Sequence, residues 1–265
     1  MVRVLARVNW RIFSILFFAG LLGVIAVLPY TFDLLGSLPI GQEPVSIPLP
    51  LVVTLALVQN GILLTVVIVI GMVLSERIGL QMPLVRAWAT GEASPKGQAI
   101  LLPGLLVGAG VGVVLVVVDA IFFLRHLPES IHKLFEIPVW KRLLAGIAYG
   151  GITEELLMRL FLLSLVAWLL GRWWKAAEGT PATGAFWAAI IVVAVLFGLG
   201  HLPATAAIVP LTPMIVVRAL VLNGVAGVAF GYLYWRNGLE AAMLGHMSAH
   251  LVMQVPGVML LKNMV

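Results

Sequence analysis

Apolar runs of about twenty residues recur along this chain, and nothing else in it constrains the fold as strongly. The first extends from Ile12 to Leu28, the second from about Leu51 to Leu74 and the third from about Ala99 to Leu124. A helix rising about 1.5 Å per residue needs about 20 apolar residues to cross a bilayer's hydrocarbon core. Only 10% of the 265 residues are charged and 62% are hydrophobic, with a mean hydropathy of +1.13. A soluble domain carries about 25% charged residues, so this chain lacks the polar groups to cover a water-facing surface. The expectation is an all-α, polytopic helical membrane protein with about seven to eight transmembrane helices, forming a single integral-membrane domain over residues 1–265. A membrane barrel is excluded, because its strands alternate apolar and polar residues instead of running apolar without a break.

Arg3, Arg7 and Arg11 precede the first run, and no clear cleavage site follows it. The run therefore reads as a retained first span, in the cell membrane, with its N-terminus cytoplasmic. Tyr30 to Pro50 contains no Lys or Arg, as an outer loop should. Nine basic residues fall in inner segments and five in outer ones. The net charge of +5 is spread over loops, so no concentrated basic face for nucleic acid is expected. Gln59-Asn60-Gly61 is a polar notch suited to helix–helix hydrogen bonding, and Gly104, Gly108, Gly110 and Gly112 suit close helix approach. Asp119 is expected at the interface, and Arg125 to Arg142 as an amphipathic surface helix. Further spans are expected over about 143–170, 184–200 and 213–235, with a last helix beginning near Leu239.

The fourth of these spans carries Gly150-Gly151-Ile152-Thr153-Glu154-Glu155-Leu156-Leu157-Met158-Arg159. A charge at the centre of a bilayer helix costs about 2.5–3.5 kcal/mol on insertion scales, so ionisable residues there point to function. Glu155 and Arg159 are four apart, share a helix face and are expected to neutralise each other. Glu154 is rotated by about 100° and is left free to handle protons. Three of the five histidines lie in later spans. His201 follows Phe197 by four residues, so the ring can pack on the imidazole, and His246 and His250 project from one helix face.

A carboxylate with imidazoles supports two chemistries. With a metal, Glu154, His201, His246 and His250 are the candidate ligands of a Zn2+ ion that lowers the pKa of bound water to about 7. Without one, Glu154 is a general base on water with His201 assisting, and His246 and His250 donate hydrogen bonds to the oxyanion at a scissile carbonyl. The chain has no cysteine, and so neither a disulfide framework nor a thiolate site or nucleophile. It has no G-x-S-x-G run for a serine nucleophile and no phosphate-binding P-loop.

The order Glu-Glu-x-x-x-Arg, then Phe-x-x-x-His, then a histidine with a polar residue four positions later resembles the CPBP (CAAX protease and bacteriocin-processing, or Abi) family of intramembrane proteases. The matching residues are Glu154, Glu155 and Arg159, then Phe197 and His201, then His246 and His250, with Gly238 to Met243 as a similar lead-in. The likeness covers about residues 143–255, which form the CPBP-like catalytic core. The resemblance implies a helical membrane endopeptidase acting on a membrane-embedded or lipidated peptide or protein, with Glu154, His201 and His246 at its catalytic centre. Glu155, Arg159 and His250 would complete the site, and Phe197 would bind substrate. His250 departs from the Asn or Asp usual there, which leaves Zn2+ and metal-free water activation both open. A proton- or metal-coupled transporter and a non-catalytic immunity or scaffold protein of the same fold are the competing readings. One geometric problem stands out. Glu154 and His201 approach from one side of the bilayer and His246 from the other, so the last helix must begin deep or the connection after His201 must dip inward.

Overall fold

In the computed structural model of the chain, residues 8–36, 48–93 and 97–264 are described. Among them the structure is helical, with one isolated bridge between Lys175 and Pro181 and no strand. The long helices are α1 (Trp10–Gly36), α2 (Leu49–Arg77), α4 (Gly97–Val118), α5 (residues 139–170), α6 (Thr183–Gly200), α7 (Pro213–Asn237) and α8 (Leu239–Val252). A short α3 (Pro83–Thr90) lies between α2 and α4. α4 runs on through a π turn to His126, and α8 continues through another, containing Pro256, to Lys262. Among the described residues, six helices are long and apolar enough to cross a membrane: α1, α2, α6, α7 and the extended α4 and α8. α5 is as long as these but carries Glu154, Glu155 and Arg159 at its middle. The protein is a polytopic all-α membrane protein.

α8 is the axis of the assembly, packing on α4, α5 and α7. Without water to drive apolar surfaces together, membrane helices associate by close packing, and small residues allow it. Gly104, Gly108 and Gly112 of α4 form such a seam against Ala241, Gly245 and Ala249 of α8. A Cβ on Gly104 would lie 2.6 Å from the Ala241 carbonyl oxygen, and one on Gly112 2.8 Å from that of Ala249. Gly110, also expected in this role, faces open space instead.

α5 is unusual in its hydrogen bonding. From Ala145 to Glu154 and from Leu156 to Leu163 it is a π-helix, a form that is rare and concentrated at functional positions. It crosses α1, where Thr153 donates from Oγ1 to the Gly20 carbonyl at 2.8 Å. α6 packs on α7 and on the second half of α5.

α8 starts inside the protein. The turn at Gly238 has φ 98°, which favours glycine, and Leu239, Ala241 and Ala242 behind it are fully buried. The Leu239 amide donates to the Gln81 carbonyl, and Glu240 accepts from the Val85 amide at the start of α3. The start of α8 is thus covered by the connection after α2 and by α3.

Several expectations change. α1 continues past Leu28 to Gly36, so the expected loop beginning at Tyr30 starts later; its residues 37–47 lie outside the described ones, as do Arg3, Arg7 and Lys96. Asn60 gives its amide to the Ala56 carbonyl of its own helix, and Gln59 faces outward, so the notch serves no helix–helix bond of this side chain. Asp119 is buried and held in a bidentate pair by Arg218 of α7, at 2.6 and 2.7 Å, because a buried carboxylate needs a cation beside it. Residues 125–142 form short turns over Glu129–His132 and Lys133–Glu136 instead of one surface helix, since Pro128 and Pro138 interrupt the backbone ladder.

Candidate active site

Four helices bring the polar side chains together: α5 supplies Glu154, Glu155 and Arg159, α6 ends at His201, α8 carries His246 and His250, and α7 supplies Phe230 beneath them. Glu155 is fully buried and its Oε1 accepts from Arg159 Nη1 at 2.8 Å, as the four-residue spacing predicts. The same oxygen accepts from His246 Nδ1 at 2.7 Å, a link across 91 positions that no local pattern signals. A carboxylate so placed orients the imidazole and leaves Nε2 as its working atom. That atom lies 3.9 Å from Glu154 Oε2. The distance is too long for a direct hydrogen bond and right for one water touching both groups. The Glu154 side chain is 20% exposed, whereas Glu155 and Arg159 are sealed at 0% and 1%.

Arg159 lies between two aromatic rings, 5.1 Å from the centroid of Phe197 and 5.5 Å from that of Phe230. Its Nη2 also reaches the Gly227 carbonyl at 3.4 Å. Phe197 is 95% buried, since its exposure is 5%. Its ring meets His201 edge-on at 4.7 Å and His246 at 6.2 Å, so one phenyl separates and steadies both imidazoles. His201 Nδ1 donates to the Phe197 carbonyl at 2.8 Å, because a carbonyl can only accept, and this turns Nε2 outward.

His246 stacks between Phe230, at 4.9 Å, and His250, at 5.0 Å. Room for both imidazoles comes from α5: a Cβ on Gly150 would lie 3.1 Å from His246 Nε2 and 3.2 Å from His250 Nε2. The Gly150-Gly151 pair ahead of the glutamates is a sequence feature that could have pointed to this, and nothing in the sequence pointed to Phe230. His250 Nδ1 is buried without a hydrogen-bond partner among the described residues, beside the Gly146 backbone. A buried N–H without an acceptor costs more than a bare ring nitrogen, so the proton belongs on Nε2, facing Gly150. Of the remaining histidines, His126 is exposed and His132 packs on Phe135 at 6.2 Å.

Among the described residues, no three His, Cys, Asp or Glu side chains are grouped to hold a metal ion. The expected donor set of Glu154, His201, His246 and His250 shares a neighbourhood without converging on one point.

Fold and cluster together define a polytopic membrane protein with an acid–imidazole site built across four of its helices. Residues 136–252 match the family model described as Type II CAAX prenyl endopeptidase Rce1-like, a span that begins just before α5 and ends with α8. The region that carries the cluster is thus Rce1-like, in agreement with the CPBP resemblance, and the match supports an intramembrane protease. Neither curated proteins nor solved structures give a match.

Proposed function

We propose that the protein is an intramembrane endopeptidase that cleaves a membrane-embedded or lipidated peptide with a water activated by Glu154, and that its N-terminus is cytoplasmic. The observation that carries this reading is the 3.9 Å gap between Glu154 Oε2 and His246 Nε2, which leaves room for one water to touch both groups. Glu154 takes a proton from that water as its oxygen adds to the scissile carbonyl. The new oxyanion accepts a hydrogen bond from His250 Nε2–H, the one imidazole whose surroundings favour a proton on that atom. Glu154 returns the proton to the departing amide nitrogen, the C–N bond breaks, and a carboxylic acid and an amine result. His201 and His246 present bare Nε2 atoms, so they hold and steer the water's second hydrogen. Glu155 and Arg159 do no chemistry in this scheme. They fix His246, and their opposite charges cancel where neither could stand alone.

The test is cleavage of a membrane peptide by purified protein, with Glu154→Gln and a chelator as separate arms. Glu154→Gln should abolish turnover while the protein still folds, and chelation should leave the wild-type rate unchanged. Normal cleavage by Glu154→Gln removes the proposal. Loss of wild-type activity on chelation, restored by Zn2+, replaces the water-only step with a metal-assisted one.

A further inference from the structure

Where α1 starts and α2 stops, a cavity of about 490 Å³ lies between these two helices and α3. That is within the range of ligand pockets, about 300–1,000 Å³. None of the acid–imidazole residues lines it. Its inner wall is apolar, since Ile12 of α1, Met72 of α2, and Leu80 and Met82 of the connection that follows are buried. Its rim is charged, with Glu76, Arg86 and Glu92 all exposed. Glu76 and Arg86 stand 3.9 Å apart, too far for a hydrogen bond. An exposed pair this loose contributes little, so both groups are open to a ligand.

The cavity sits at the level where the chain leaves the hydrocarbon core. The span of α1 begins at Trp10 and that of α2 ends at Arg77. A second, shallow hollow lies beside it, walled by Trp10, Ile15 and Trp88, and the two tryptophans are 53% and 76% exposed. Tryptophans so placed settle at the headgroup layer, with an apolar body and a polar N–H. Both hollows are walled by α1 and α3: α3 gives Arg86 to the first and Trp88 to the second. One amphipathic molecule can therefore seat its polar end in the cavity and lay its apolar part along the tryptophans.

We propose that this cavity binds the headgroup of a phospholipid carrying a primary ammonium, with the phosphate on Arg86 and the ammonium on Glu76 and Glu92. A guanidinium offers paired donors to a phosphate, and the carboxylates accept the ammonium N–H groups. Two carboxylates against one guanidinium leave the rim net negative, which disfavours a headgroup that is only anionic. Among the described residues no aromatic ring lines the cavity, so it lacks the cage that a quaternary ammonium calls for. The same wall holds the start of α8. Gln81 and Pro83 line the cavity, the Gln81 carbonyl accepts from the Leu239 amide at 3.0 Å, and the Val85 amide donates to Glu240 at 2.8 Å. A bound headgroup thus braces the connection on which α8 hangs, and it stabilises the protein whether or not the protein is a peptidase.

The test follows the thermal midpoint of the full chain, freed of lipid in detergent, as short-chain phosphatidylethanolamine is added. The expected result is a saturable rise of about 4 °C or more. Phosphatidylglycerol and phosphatidylcholine with the same chains, and glycerophosphoethanolamine, which has the headgroup without chains, should each need about tenfold more or fail. Arg86→Gln and Glu76→Gln change exposed side chains, so the lipid-free midpoint should stay within about 2 °C of wild type. Each should raise the phosphatidylethanolamine concentration at half-saturation about tenfold or more. No rise with phosphatidylethanolamine, a rise that survives both variants, or an equal response to phosphatidylglycerol or phosphatidylcholine overturns the proposal. An equal response to glycerophosphoethanolamine overturns the lipid assignment and makes the ligand a soluble phosphate ester.

Discussion

The two sides of α8 solve opposite problems. Toward α4 it offers Ala241, Gly245 and Ala249, side chains so small that backbone nearly meets backbone. Toward α5 it offers His246 and His250, polar groups that the bilayer disfavours. The first side supplies contact that does not depend on water, through dispersion between close-packed chains. The second uses that rigidity: imidazoles in contact with Gly146 and Gly150 are positioned only as well as the helix carrying them. The difference teaches that in this protein tight packing and chemistry are separated by a rotation of only about 100° on one helix. Substitutions on one side should lower stability, and those on the other should lower turnover, with a single exception.

That exception gives the largest expected effect. Arg159 belongs to the polar side, yet Arg159→Ala should act on stability, because it leaves Glu155 fully buried with its charge uncompensated. Breaking a buried pair from one side costs about 3–5 kcal/mol. The expected outcome is a large fall in the thermal midpoint in detergent, with Glu155→Gln in the same background recovering part of it. An unchanged midpoint would mean that Glu155 is already neutral. Next comes His250→Ala, which should leave the midpoint near wild type and slow turnover by about 10²–10³-fold, the usual loss when one oxyanion donor goes. His250→Asn, which restores a side-chain N–H donor, should return the rate to within about tenfold of wild type, a margin of about 1.4 kcal/mol. Equal losses from Ala and Asn would show that His250 acts other than as a donor.

How much of this was legible beforehand follows from how local each signal is. The Glu155–Arg159 pair could be read because both partners lie within one turn of an apolar run. The glycines of α4 could be read as a seam because they recur every four residues, although Gly110, which breaks that period, turned out idle. The bond from His246 to Glu155 and the pair of Asp119 with Arg218 span 91 and 99 positions, and a single sequence carries no distance information of that range. One clue was available for the second: an acid in one apolar run and a cation in another must find each other or remain unpaired. The notch at Asn60 misled for the converse reason, since a short amide can satisfy itself on its own helix backbone.

The remaining predictions concern the packed side and shrink in size. Gly108→Val should cost about 1–3 kcal/mol, the range for overpacking, because its Cβ would come within 2.7 Å of the Gly245 Cα and backbone cannot step aside as a side-chain tip can. The loss should appear in the thermal midpoint. Turnover per folded molecule should also fall, since any shift of α8 carries His246 with it.

Gly110→Ala is the smallest test and the sharpest control. Gly110 sits two residues along the same helix, faces outward and has nothing within 4 Å of where a Cβ would stand. Replacing a mid-helix glycine by alanine there removes backbone freedom from the unfolded chain and meets no obstacle, a gain of about 0.5–1 kcal/mol. The midpoint should therefore rise slightly with Gly110→Ala and drop with Gly108→Ala, although the two changes add the same methyl group to the same helix. If both fall alike, the penalty belongs to α4 as a whole and not to its contact with α8, and the division of α8 into a packing side and a chemical side loses its basis.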